Sequence, residues 1–135
     1  MNIESSIQLL KDHGYKTTAR RKAIIDFFIK AGGYRTAKEV TSFMALHYKG
    51  ISYDTVYRNL HLYVDLGILE ATELNGEKHF QITCQHGHHH HFICRICGNT
   101  KEIDLCPMDD LGQSLANFQI EDHKFEVYGL CPECS

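Results

Sequence analysis

Apolar positions in the first half of the chain recur at helical spacing. Ile3, Ile7 and Leu10 share one face of a short amphipathic segment over residues 3–12, which Gly14 stops. Thr18 stands where a second helix needs a cap; Ala23, Ile24, Phe27 and Phe28 then form its apolar face, and Gly32-Gly33 its end. Thr36-Ala-Lys-Glu39 is a capping-box pattern and opens a third helix that runs to about His47. Ser52 caps a fourth, with Val56, Leu60, Tyr63 and Val64 as its stripe and Gly67 closing it.

Past Gly67 the apolar pattern changes from the helical period to strict alternation. Residues 68–74 and 77–82 flank Asn75-Gly76, the strongest short hairpin signal. Helices followed by a two-stranded hairpin give the winged-helix plan, with the fourth helix in the recognition position. Residues 83–88 have no period and read as a hinge. Short strands are expected at 92–94 and 100–105, a helix from Pro107 to about Asn117, and a strand at 124–128. The expected fold class is α+β: a winged-helix DNA-binding domain at 1–82, a hinge at 83–88 and a small α/β metal-binding domain at 89–135.

Composition adds location and charge. The 135 residues contain no apolar run approaching the roughly 20 that a membrane helix needs, so no membrane partner is expected. The N-terminus lacks the pattern of a secretory signal, which predicts a cytoplasmic protein. The net charge of −3 conceals an asymmetry. Residues 1–68 carry ten Lys/Arg against six Asp/Glu, and residues 69–135 carry four against eleven. A basic half suits a polyanion; an acidic half suits a cation or a partner.

Of six cysteines, four stand in two pairs, Cys94-x-x-Cys97 and Cys131-x-x-Cys134. In a reducing cytosol that spacing points to metal, and four thiolates make a closed tetrahedral site suited to structural zinc. Gly98 permits the tight knuckle after Cys97. Cys106 has no partner at ligand spacing and reads as a buried structural thiol. The run Cys84-Gln-His86-Gly-His88-His89-His90-His91 is internal, so it is not a terminal tag. On a strand His89 and His91 face one side while His88 and His90 face the other, and one run can serve two metal sites.

The fourth helix carries Arg58 and Tyr57 near Ser52, Tyr53 and Thr55, side chains able to read guanine edges and thymine methyls. Lys16, Arg20, Arg21 and Lys22 form a basic cluster at the second helix that would neutralise phosphates of double-stranded DNA.

Two of these segments resemble one family. The run from His89 to Gly98, His-x-His-x-x-Cys-x-x-Cys-Gly, and the segment Ser52-Tyr-Asp-Thr-Val-Tyr-Arg-Asn-Leu60 before Leu66-Gly67-Ile68 are similar to the signatures of the ferric-uptake-regulator (Fur) superfamily. The similarity runs from Lys16 to Cys134. It implies a homodimer formed by the second domain, which thereby becomes a dimerisation domain, and a pair of recognition helices on a palindromic operator. Iron- and peroxide-sensing members usually carry a histidine in the loop before the third helix, where this chain has Tyr34 or Arg35. They also carry a carboxylate after the wing, where it has Gln81. Cys84 instead resembles the zinc-sensing members, and a thiolate favours zinc over ferrous iron. The resemblance therefore implies a sensing site of Glu70, Cys84, His89 and His91, with His79 competing for the place of Glu70. It also implies a third set of His88, His90, Asp109 and His123. Two zinc ions per subunit, and a third where that set is filled, would make the chain a zinc-responsive repressor of zinc-homeostasis genes. Members sensing iron, manganese or peroxide are the alternative. A zinc hydrolase or deaminase is disfavoured, because the His-x-Glu with Pro-Cys-x-x-Cys pattern is absent and a closed site leaves no position for a catalytic water.

Overall fold

The computed structural model describes residues 1–83 and 89–135, with the backbone alone for Asp109. It divides into two compact units, 1–85 and 86–135.

The first unit opens with four helices, each started by a side chain that satisfies an otherwise orphaned backbone N–H. In α1 (Ile3–Asp12), the Asn2 side chain accepts from the Ser5 N–H. In α2 (Ala19–Ala31), Thr18 accepts from Arg21. Before α3 lies a two-residue strand, β1 (Arg35–Thr36), too short to show any period in the sequence. The capping box of α3 (Ala37–Ala45) is present: the Thr36 hydroxyl accepts the Glu39 N–H at 3.2 Å, and the Glu39 carboxylate accepts the Thr36 N–H at 3.3 Å. Ser52 caps α4 (Tyr53–Asp65) through the Thr55 N–H at 3.1 Å.

A hairpin of β2 (Leu69–Leu74) and β3 (Glu77–Ile82) follows. Its turn needs positive φ at both central residues, which Asn75 (56°) and Gly76 (76°) supply. The sheet order is β1-β3-β2, all antiparallel. Phe80 on β3 belongs to one core with Ile24, Ile25 and Phe28 of α2, Val40 and Met44 of α3, and Val56, Leu60 and Tyr63 of α4. The Tyr63 hydroxyl donates to the Arg21 carbonyl at 3.3 Å, and burial pushes its pKa up.

The second unit is a three-stranded sheet in the order β5-β4-β6, with β4 (His90–Cys94) central. It runs antiparallel to β5 (Thr100–Ile103) and parallel to β6 (Glu126–Gly129). The parallel pair requires a crossover. That crossover holds α5 (Met108–Leu111), a single turn, and not the longer helix expected to about Asn117. The helix begins without a side-chain cap and meets Gly112 at once; residues 112–117 continue as turns. Among the described residues of this unit, Ile93 is the one fully buried aliphatic side chain. No helix of the described residues is long and apolar enough to cross a membrane.

Phe80→Ala is expected to lower the stability of the first unit by about 3–5 kcal/mol. Leu46→Ala, at a position 80% exposed, should stay within about 0.5 kcal/mol of the parent. Urea denaturation of the full chain followed by helical circular dichroism measures both.

Candidate metal centres and nucleic-acid interface

The four paired cysteines converge. Their sulfurs lie within 4.8 Å of one another, bringing the knuckle after β4 together with the one after β6. Gly98 adopts φ 75° and its N–H donates to the Cys94 carbonyl at 3.0 Å, which closes the first knuckle. The Arg95 N–H donates to the Gly129 carbonyl at 2.8 Å and fastens that knuckle to β6. A tetrahedral zinc with bonds of about 2.3 Å sets its sulfurs about 3.8 Å apart, and the Cys97 and Cys131 sulfurs are 3.8 Å apart. The donor set therefore fits the ion it was expected to hold.

Charge is the obstacle to packing four thiols so closely. Backbone N–H groups of Cys97 and Cys131 point at the Cys94 sulfur, the latter at 3.4 Å, and hold its pKa down at about 6. Cys134 goes the other way, pushed up to about 12 by the Cys131 sulfur and by burial. One thiolate forms readily and a neighbour resists ionising until a cation is present.

The histidine run divides between faces. His89 and His91 have ring centroids 6.4 Å apart. His89 Nδ1 lies 3.8 Å from a carboxylate oxygen of Glu102, which stands opposite His91 in the β4–β5 register. The other ring nitrogen of His89, Nε2, is buried and has no hydrogen-bond partner among the described residues. Glu102 was absent from the expected set; its signal is strand register, which the sequence does not display. Glu70 lies on β2, half-buried, accepting a hydrogen bond from Gln81 across the hairpin. His79 Nδ1 donates to the Glu77 carbonyl of its own strand at 2.8 Å. Cys84 lies outside the described residues.

On the other face, His90 is buried and its Nε2 is 3.3 Å from His123 Nε2. His88 lies outside the described residues, as does the side chain of Asp109. The third member of this cluster is Cys106, whose sulfur is 3.7 Å from His123 Nε2. The thiol expected to be buried without a partner at ligand spacing is half-buried and stands beside two imidazoles. Pairwise sequence spacing hid it, because its neighbours lie 16 and 17 residues away and meet it only through the crossover.

In the first unit, α4 exposes Tyr53 and Arg58. Tyr53 stacks on Tyr57 with centroids 5.7 Å apart, and Arg58 pairs with Asp54 at 2.8 Å. Both ions of that pair are 74% exposed, so it contributes little stability and leaves the guanidinium exchangeable. Ser52 and Thr55 are engaged in the helix cap. Arg21 bonds Asn59 of α4 at 3.3 Å and the Lys16 carbonyl at 2.8 Å, a bridge the sequence did not reveal. Arg20 lies over the Tyr48 ring. Lys16, Arg20 and Arg21 line one groove with Thr55 and Asn59.

The model of the ferric uptake regulator family matches residues 12–128. The chain belongs to that family. It is 52% identical over 134 residues to the ferric uptake regulation protein of Staphylococcus epidermidis, covering 99% of this chain and 96% of the relative. Among solved structures, it resembles the ferric uptake regulator of Vibrio cholerae at a TM-score of 0.71 and 30% identity, covering 93% of this chain and 98% of the other. It also resembles that of Helicobacter pylori, at 0.77 and 20%, covering 99% and 94%. Fur-family members are metal-binding transcriptional regulators that bind DNA and dimerise, and they are not enzymes. The α+β architecture of this chain is the Fur-like fold.

Because the Cys131 sulfur and burial favour the protonated form of Cys134, zinc uptake by the four cysteines would displace protons. Acid should therefore oppose binding. Zinc affinity of this group is expected to rise about tenfold per pH unit for each proton displaced between pH 6 and 8. Competition against a chelator of known pH dependence measures it, and a flat profile would remove these thiols from the coordination sphere.

Proposed function

We propose that this Fur-family chain is an iron-responsive transcriptional repressor of the cytoplasm, acting as a homodimer on a palindromic operator, with structural zinc on Cys94, Cys97, Cys131 and Cys134. The observation that carries the iron reading is the pairing of His89 with Glu102, with the buried Nε2 of His89 lacking a hydrogen-bond partner among the described residues. Two imidazoles, His89 and His91, with one carboxylate would make a donor set suited to ferrous iron. The name of the Staphylococcus epidermidis relative points the same way. Bound there, the metal supplies positive charge to an acidic half of the chain and selects the DNA-binding conformation from a mobile set.

Zinc as corepressor is the second reading. It rests on Cys84, whose thiolate would join Glu70, His89 and His91 to make a softer site.

The DNA reading assigns the winged-helix role to the first unit, with α4 as reader. Arg58 and Tyr57 meet base edges, Tyr53 packs beside them, and Lys16 and Arg20 take phosphates, with Ser52 and Thr55 at the capped helix start, whose dipole favours a phosphate. Exposed Ile96, Leu105, Phe118, Ile120 and Leu130 of the second unit supply apolar surface for the homodimer.

Anaerobic gel shifts on an operator selected from random duplexes test the effector. Buffered ferrous iron should restore binding, and Glu102→Ala should weaken that response at least about tenfold with the four-cysteine zinc retained. Zinc acting at lower free concentration than iron, with Cys84→Ala abolishing the response, would install the second reading. Metal-independent binding would remove both.

Arg58→Ala is expected to cost specific binding about 1–3 kcal/mol with metal content unchanged. Lys16→Ala should weaken specific and nonspecific binding alike and reduce the salt slope by about one. Fluorescence anisotropy across a salt series reads both.

A further inference from the structure

We propose that Cys106 is a metal ligand, and that His90, Cys106 and His123 hold a borderline-soft divalent cation such as zinc in a thiolate-bearing site separate from the four-cysteine group and from the His89–Glu102 pair. The proposal does not depend on which metal is the effector. It replaces the carboxylate expected in the third set with a thiolate.

Three observations support it. The first is metric. A tetrahedral zinc with Zn–N of about 2.0–2.1 Å and Zn–S of about 2.3 Å sets N···N edges of about 3.3 Å and N···S edges of about 3.6 Å. The two ring nitrogens, Nε2 of His90 and of His123, are 3.3 Å apart, and the Cys106 sulfur is 3.7 Å from the latter. All three ligand atoms lie within 4.8 Å of one another.

The second is orientation. His90 Nδ1 is 3.1 Å from the Phe125 carbonyl, and a carbonyl can only accept. Nδ1 therefore carries the proton, and the lone pair of His90 sits on Nε2, the atom facing the cluster. A backbone carbonyl fixing the far nitrogen in this way is the usual support of a metal-bound imidazole. The Phe125 ring stands edge-on to that of His90, centroids 5.3 Å apart, and holds it in place.

The third is topological. His90 lies on the central strand, Cys106 at the end of the segment leaving β5, and His123 just before β6. A cation on these three atoms ties both ends of the crossover to the sheet. That crossover has only one turn of helix, and Leu105 and Leu111 on it are exposed, so it gains little from apolar burial. A thiolate with two imidazoles favours zinc or cobalt over manganese or iron.

Cobalt(II) titration of the full chain, with its four-cysteine group loaded with zinc, tests the site. Cys84→Ala serves as parent, so that Cys106 is the one remaining thiol outside that group. The parent should take up cobalt with a sulfur-to-cobalt charge-transfer band and no zinc release. Adding Cys106→Ser should abolish the band and weaken cobalt binding at least about tenfold, and His123→Ala should weaken it to a similar extent with the fold and the zinc retained. Should Cys106→Ser disturb the fold, His123→Ala decides alone. A parent without the band, a band that survives Cys106→Ser, or zinc released in step with its growth would overturn the proposal. The His90–His123 contact would then be an ordinary N–H···N hydrogen bond.

Discussion

Four cysteine sulfurs within 4.8 Å of one another cannot all carry charge unless a cation sits among them. The second unit depends on that condition. It buries one aliphatic side chain fully among its described residues, far too little apolar surface to offset the ordering of some fifty residues. Its strands are short, and its parallel β4–β6 pair is joined by a long crossover. What stands where a cross-link between the knuckles after β4 and β6 would be made is a group of thiols with split pKa values: Cys94 down to about 6 and Cys134 up to about 12. A metal ion held there would remove the repulsion and staple the two knuckles together.

From that anchor, β4 distributes chemistry to two faces. Because neighbouring residues of a strand point to opposite sides, His91 stands opposite Glu102 while His90 turns to His123 and Cys106. The two faces differ in the partner they offer the imidazoles, a carboxylate on one and a thiol on the other. That difference in hardness would favour different metals on the two faces of the strand.

The first unit solves the opposite problem with ordinary means. A continuous core fixes α4 through Val56, Leu60 and Tyr63, and leaves Tyr53 and Arg58 outward. Arg21 does two tasks at once: its side chain bonds Asn59, and its carbonyl receives the buried Tyr63 hydroxyl. The basic start of α2 is thereby tied to α4 by side-chain and backbone hydrogen bonds.

Local chemistry was legible in the chain alone. Thr18, Thr36 and Ser52 each cap the helix they were expected to cap, and Asn75-Gly76 turns the hairpin, because caps and tight turns are decided by residues within three or four positions. The spacing of the paired cysteines likewise announced a four-sulfur cluster. Contacts made across strands and crossovers were not legible. Glu102 reaches His89 through register, Cys106 reaches His123 through the return of the chain from β5 to β6, and β1 exists only because β3 offers it a partner. α5 stopped after one turn because nothing capped its start and Gly112 weakened its continuation. The sequence by itself determined which residues begin, turn and pair at short range. Which side chain stands beside each histidine face was decided by tertiary structure, since that depends on distances between segments that no local pattern encodes.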